Sequence, residues 1–269
     1  MHAGVIGSFF SFPPGFLRWD SHSLIYNQSY KALMKKKPDF VGFIKLKDIY
    51  KYDGGYGPDR LWCQGERSTS EAYFNPENGE GGALKQVAEH YRRTVVRATR
   101  NLAWGKDFTW MSHFVVDALS PAHHFGKKRK TRKKYRDWED PYFNYITQMK
   151  SFKNKHTFFE GLTNFWQVFS KREKVQFEKL EQVNGDNIEI FMLNMIYKVR
   201  EMKLYEEYVE KGWSRSLWRR IKTKLIPQIV YALAVVWWSL FEEVEAKRDI
   251  GNQKSEIRNQ KSGRNMLRK

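Results

Sequence analysis

The sequence predicts an all-α fold, and three observations carry that prediction. Apolar residues recur at helical spacing, as with Val87, Tyr91, Val95 and Ala98 along one face. No stretch shows the strict alternation of a half-buried strand. The most apolar run, Leu225–Phe241 ("LIPQIVYALAVVWWSLF"), has the length of a core helix. Arg219, Arg220, Lys222 and Lys224 precede it, and Glu242, Glu243 and Glu245 follow.

Taken in order, the first helix starts at Ser21, a good N-cap, and runs through Leu24, Ile25, Tyr30 and Leu33 to Lys35–Lys37, where Pro38 ends it. From Asp39 to Gly82 the chain is rich in Gly, Asp and Pro and reads as a long irregular region, of the kind that covers a site. A helix follows from Ala83 to Leu102. Trp104 and Gly105 separate it from another through Phe108, Met111, Val115 and Val116. Further helices are expected over Tyr142–Phe169, Asn187–Tyr208 and Ser214–Glu245. Residues 1–246 read as one domain. Residues 247–269, almost free of apolar side chains and repeating "NQKS", read as a disordered basic tail.

Composition narrows the function. With 41% hydrophobic residues and 10 Trp, most of the chain must fold. Cys63 is the only cysteine, so no intrachain disulfide forms and nothing demands an oxidising compartment. The net charge of +18 is concentrated in two places. Seven Lys or Arg fall between Lys127 and Lys134, and eight in 247–269 are opposed only by Asp249 and Glu256. The body is therefore mildly basic; the basic loop and tail read first as solvated segments, and contact of the 127–134 loop with nucleic acid or another phosphate-rich surface is the next reading. The N-terminal stretch lacks a basic n-region and is broken by Pro13 and Pro14, so no signal peptide is expected. Leu225–Phe241 is slightly short for a span and carries Pro227 and Gln228, so a buried helix is expected and not a transmembrane one. A cytoplasmic or membrane-peripheral location follows.

Among the seven histidines, spacing is informative. His113 and Asp117 stand four apart on a predicted helix and project from one face. His156 and Glu160 repeat that spacing on the next helix. Imidazole nitrogen and carboxylate oxygen suit zinc, and with no cysteine nearby the ligand set is of the catalytic kind.

"HFVVDALSPAHH" at His113–His124 resembles the central signature of the zinc-dependent phospholipase C family, and "HTFFE" at His156–Glu160 resembles its following His-x-x-x-Glu pair. "SHSLIYNQSYKAL" at Ser21–Leu33 is similar to the family's first helix, and "AYFNPENG" at Ala72–Gly79 to its His-Phe-Tyr-Asp-Pro segment. "VYALAVVWWSLF" resembles its closing core helix, so the likeness runs in order from about residue 20 to 246. The resemblance implies an all-helical domain holding one to three zinc ions, two being expected. It also implies a hydrolase in which metal-activated water attacks a phospholipid or related phosphodiester. His113 and Asp117 would serve one zinc, with Asp117 bridging. His123, His156 and Glu160 would hold another, and His22 would belong to a third. The family's early aspartate, a ligand and possible base, falls at Asp59, with Asp53 the alternative. An unbroken helix favours His124 in place of His123, whereas Pro121 and the family register favour His123.

The sequence departs from the family at three points. Ala72 stands where the family has a histidine. Trp19 lies too close to His22 to act as the family's N-terminal tryptophan ligand. The interval from His123 to His156 is long and contains the basic run. A nuclease of the related S1/P1 type is the alternative enzyme, and a degenerate relative that binds a partner is the alternative without catalysis.

Overall fold

The computed structural model describes residues 21–38, 40, 43–54, 57–58, 69–124 and 180–266, and from residue 252 onward only the backbone. Among the described residues every regular element is helical, with one isolated β-bridge between Phe74 and Gly81. We number the helices over this part of the chain. The first four are α1 (Ser21–Lys36), α2 (Leu46–Gly54), α3 (Ala83–Thr99) and α4 (Gly105–Ala118). The rest are α5 (Ile188–Arg200), α6 (Leu204–Lys211), α7 (Arg215–Arg220) and α8 (Ile226–Met266). Short 3-10 turns lie at Thr69–Ala72 and Pro121–His124. Together these form one all-α domain.

The core is built around the first half of α8. Val230, Leu233, Val235, Val236, Trp237 and Leu240 have no exposed surface. The Trp237 indole lies parallel to Phe40, with ring centroids 6.3 Å apart, and also meets Phe108 and Tyr26. Its N–H donates to Ser112 Oγ at 2.8 Å, so the one polar atom of this side chain is satisfied on α4. The helix is long and apolar enough to cross a membrane, yet 72% of its most apolar 18-residue window is buried inside the fold. It serves as the axis on which α1, α3 and α4 pack.

The structure differs from the sequence reading in three elements. The stretch expected to be irregular from Asp39 to Gly82 contains α2, because Leu46, Ile49, Tyr50 and Asp53 fall at i, i+3, i+4 and i+7 and bury one face. The helix expected over Asn187–Tyr208 is broken at Lys203, whose φ of 49° is left-handed. The break turns α6 so that Leu204 and Tyr205 are fully buried, and Arg200 pairs across it with Glu206. Third, α8 runs on to Met266, through most of the 247–269 segment read as a disordered tail. That segment has no apolar face to bury, but its Lys, Arg, Gln and Glu are good helix formers. A π-helical turn at Ile221–Leu225 joins α7 to α8. Pro227 has no N–H and would clash with the carbonyl one turn back, and the wider turn relieves that clash.

Candidate metal centre

Five buried ionisable side chains converge from four elements. His22 sits in the first turn of α1, Asp53 at the end of α2, His113 and Asp117 one turn apart on α4, and His123 on the 3-10 turn after it. None is more than 9% exposed. His22 Nε2 is 3.1 Å from Asp117 Oδ1, and His113 Nε2 is 3.3 Å from Asp117 Oδ2. The His22 and His113 rings stack, with centroids 4.1 Å apart and planes 10° from parallel. The ligating atoms of His22, His113 and Asp117 all lie within 4.8 Å of one another, close enough to hold a metal ion. Two imidazoles and a carboxylate are a borderline-soft donor set that fits a divalent transition metal.

The surroundings orient these ligands. Asp53 Oδ1 accepts from His113 Nδ1–H at 2.9 Å, so Nε2, which faces Asp117, is the nitrogen that would ligate a metal once deprotonated. A carboxylate behind a ligating histidine is a common orienting device at metal sites. The chain packs closely on Asp53 after α2, since a Cβ at Gly57 would lie 1.9 Å from the Asp53 carbonyl oxygen. His123 donates Nδ1–H to the Ala72 carbonyl at 2.5 Å and approaches Asp117 Oδ1 at 3.8 Å. The Ala72 segment is held there by the bond from Phe74 N to the His123 carbonyl. The Phe74–Gly81 bridge helps, with Gly81 at φ 110° where a Cβ would strike the Tyr73 carbonyl.

His123, and not His124, faces the cluster. An eleven-residue interval returns to the same face only on an unbroken helix, and α4 ends at Ala118 before the 3-10 turn. His124 turns away and donates Nε2–H to the Ala118 carbonyl at 3.0 Å. Of the two acids offered by the sequence, Asp53 lies at the site, and Asp59 falls outside the described residues. The expected ligands His156 and Glu160 and the basic 127–134 loop also lie outside them. The signal for Asp53 was present in its sequence position, one turn beyond Ile49 and Tyr50 on the apolar face of α2.

Electrostatics bind the cluster as a unit. Burial disfavours the His113 imidazolium, but Asp117 and Asp53 outweigh it and hold His113 well above its ordinary value of 6.5. Burial and the neighbouring His113 both push His22 down, and the hydrogen bond and charge of Asp117 tip it upward. Burial would raise the Asp117 carboxyl, but His113 and His123 hold it well below its ordinary 3.8. His124, buried without a carboxylate partner, is pushed down to about 3.

These shifts set opposing limbs of a stability profile. The contribution of raised His113 and His22 is complete below pH 6.5 and is lost as pH rises through their folded values. His124 stays neutral when folded while the unfolded chain takes up a proton. Stability therefore also falls as pH drops from 6.5 toward 3, by about 1.4 kcal/mol per pH unit for one such group. The contribution of Asp117 is present above 3.8 and is lost only as pH falls further. Metal-free protein should thus be most stable near pH 6.5. Denaturant midpoints measured across pH in chelator check this. His124→Gln should flatten the acid limb, and added zinc should flatten the alkaline limb, because a metal needs neutral imidazole. A metal-free midpoint that climbs steadily from pH 6.5 to 8 would contradict the assignment.

No protein-family model matches the chain, and no curated protein matches it. The fold and the site together define an all-α protein with a buried His–His–Asp group able to hold a metal ion.

Proposed function

We propose that the chain is a zinc-dependent phosphodiester hydrolase of the phospholipase C type, acting on a phospholipid or a related phosphodiester. The observation that carries this reading is the meeting of His22, from the first helix of the resemblance, with His113 and Asp117 of its central signature, within ligating distance. Zinc in this site would supply Lewis acidity toward a phosphodiester oxygen and acidify a water molecule. In this reading His22, His113 and Asp117 would hold one ion, and Asp53 would orient the His113 ring through Nδ1. Asp117, with one oxygen toward each imidazole and His123 nearby, would be the ligand shared with a second ion. The resemblance would pair His123 with His156 and Glu160 for a second ion.

One observation favours a second reading, a helical protein that uses the metal for stability alone. Where the resemblance calls for a histidine, Ala72 presents only its backbone carbonyl, and His123 is engaged with it. Elemental mass spectrometry of the purified chain, followed by assays with phosphatidylcholine and single-stranded DNA, separates the two. The proposal expects bound zinc and phosphodiester cleavage that chelator abolishes and zinc restores. Zinc without cleavage establishes the second reading. Cleavage confined to DNA identifies a nuclease of the S1/P1 kind, and activity that survives complete metal removal sinks both.

A further inference from the structure

A second feature, remote in sequence from the metal ligands, lies in the segment that leads into α8. Between Lys211 and Lys224 the chain carries Lys211, Arg215, Arg219, Arg220, Lys222 and Lys224 with no acidic residue among them. Helix α7 and the π turn are amphipathic. Leu217, Ile221 and Leu225 are buried against the core, while Arg215, Arg219 and Lys224 are exposed. Arg215, Trp218, Arg219 and Lys222 fall at i, i+3, i+4 and i+7 and so share the outer face. Arg220 is the cation drawn inward, paired with Glu207 and the Met202 carbonyl. Trp213 and Trp218 are half-buried at this face, stacked with centroids 6.1 Å apart, with Tyr208 edge-on behind them.

We propose that this face, which carries Arg215, Trp218 and Arg219 with Trp213 stacked on Trp218, docks the protein on an anionic phospholipid bilayer. Charge complementarity names the partner, since the exposed Arg215, Arg219 and Lys224, in a segment without acidic residues, are drawn to the negative surface of an anionic leaflet. The aromatic geometry selects lipid over nucleic acid. Base stacking needs an open ring face, whereas the two indoles here are turned toward each other. Half-buried tryptophans among cations are the arrangement that anchors a protein at the headgroup level. The docking does not depend on the chemistry of the metal site, and vesicle binding is measured separately from hydrolysis.

The test is co-sedimentation of the full chain, in chelator, with phosphatidylcholine vesicles with and without phosphatidylserine. Binding should require phosphatidylserine and weaken with salt. Arg215→Glu with Arg219→Glu should weaken it at least about 30-fold, which is about 2 kcal/mol at about 1 kcal/mol per cation lost. The same charge change at Lys31→Glu with Lys35→Glu, both exposed on α1, should weaken it far less. Both reversals lie on exposed positions, and circular dichroism confirms that each variant is folded. Equal loss in the two variants would mean that net charge alone drives binding and would overturn the proposal. So would absence of vesicle binding, or tighter binding to single-stranded DNA that the α7 reversal abolishes.

Discussion

Asp117→Asn should abolish zinc binding at the His22–His113–Asp117 group while the chain still folds. Asparagine has nearly the same volume but no charge, and Asp117 is the only carboxylate among the three residues whose ligating atoms converge. Loss of an orienting partner behind a ligand already costs about 10- to 100-fold in metal affinity. Loss of a ligand itself should exceed about 100-fold, with any hydrolysis falling alongside. Asp53→Asn, which touches His113 only through Nδ1, should stay within the 10- to 100-fold range. Zinc titration by calorimetry, with elemental analysis of each variant, orders the three proteins. Unchanged zinc affinity in Asp117→Asn would place the metal elsewhere. A larger effect at Asp53 than at Asp117 would exchange their roles.

Trp237→Ala should produce the largest loss of stability of any single substitution in the core, about 3–5 kcal/mol. Trp237 is fully buried among Phe40, Phe108 and Tyr26, and truncation leaves both a cavity and a Ser112 hydroxyl without its indole donor. Trp237→Phe refills most of the space and should cost less, the difference reflecting the lost N–H and the smaller ring. Denaturant midpoints at constant slope measure both. A cost below about 1 kcal/mol for Trp237→Ala would mean that α8 is not the axis of a water-soluble core, since burial of a large aromatic is worth several times that.

The two predictions meet at Tyr26. Its ring lies 6.1 Å from Trp237 and 6.2 Å from His22, one turn along α1. Packing of α1 on α8 therefore decides where His22 stands, and a site of this kind needs rigid supports. Five buried ionisable groups bring a desolvation cost that an apolar cluster would avoid, and perturbed, mutually paired groups of this sort concentrate at functional sites.

Sequence periodicity alone determined the all-α class, the start of α3, the pairing of His113 with Asp117 on one face, and the central apolar helix. All are local properties, written in residues three and four apart. Tertiary structure decided the rest. Whether His123 or His124 joins the cluster depends on where α4 stops and how the 3-10 turn swings the next residues. That Asp53 reaches His113 depends on the packing of α2 against α4, because the two residues are sixty positions apart and nothing in their spacing links them. The break at Lys203 exists because a straight helix could not bury Leu204 and Tyr205 as well as Ile196 and Val199. Local pattern fixes which face of a helix is apolar. Only the competition among helices for a common core fixes which polar residues on those faces come to lie together.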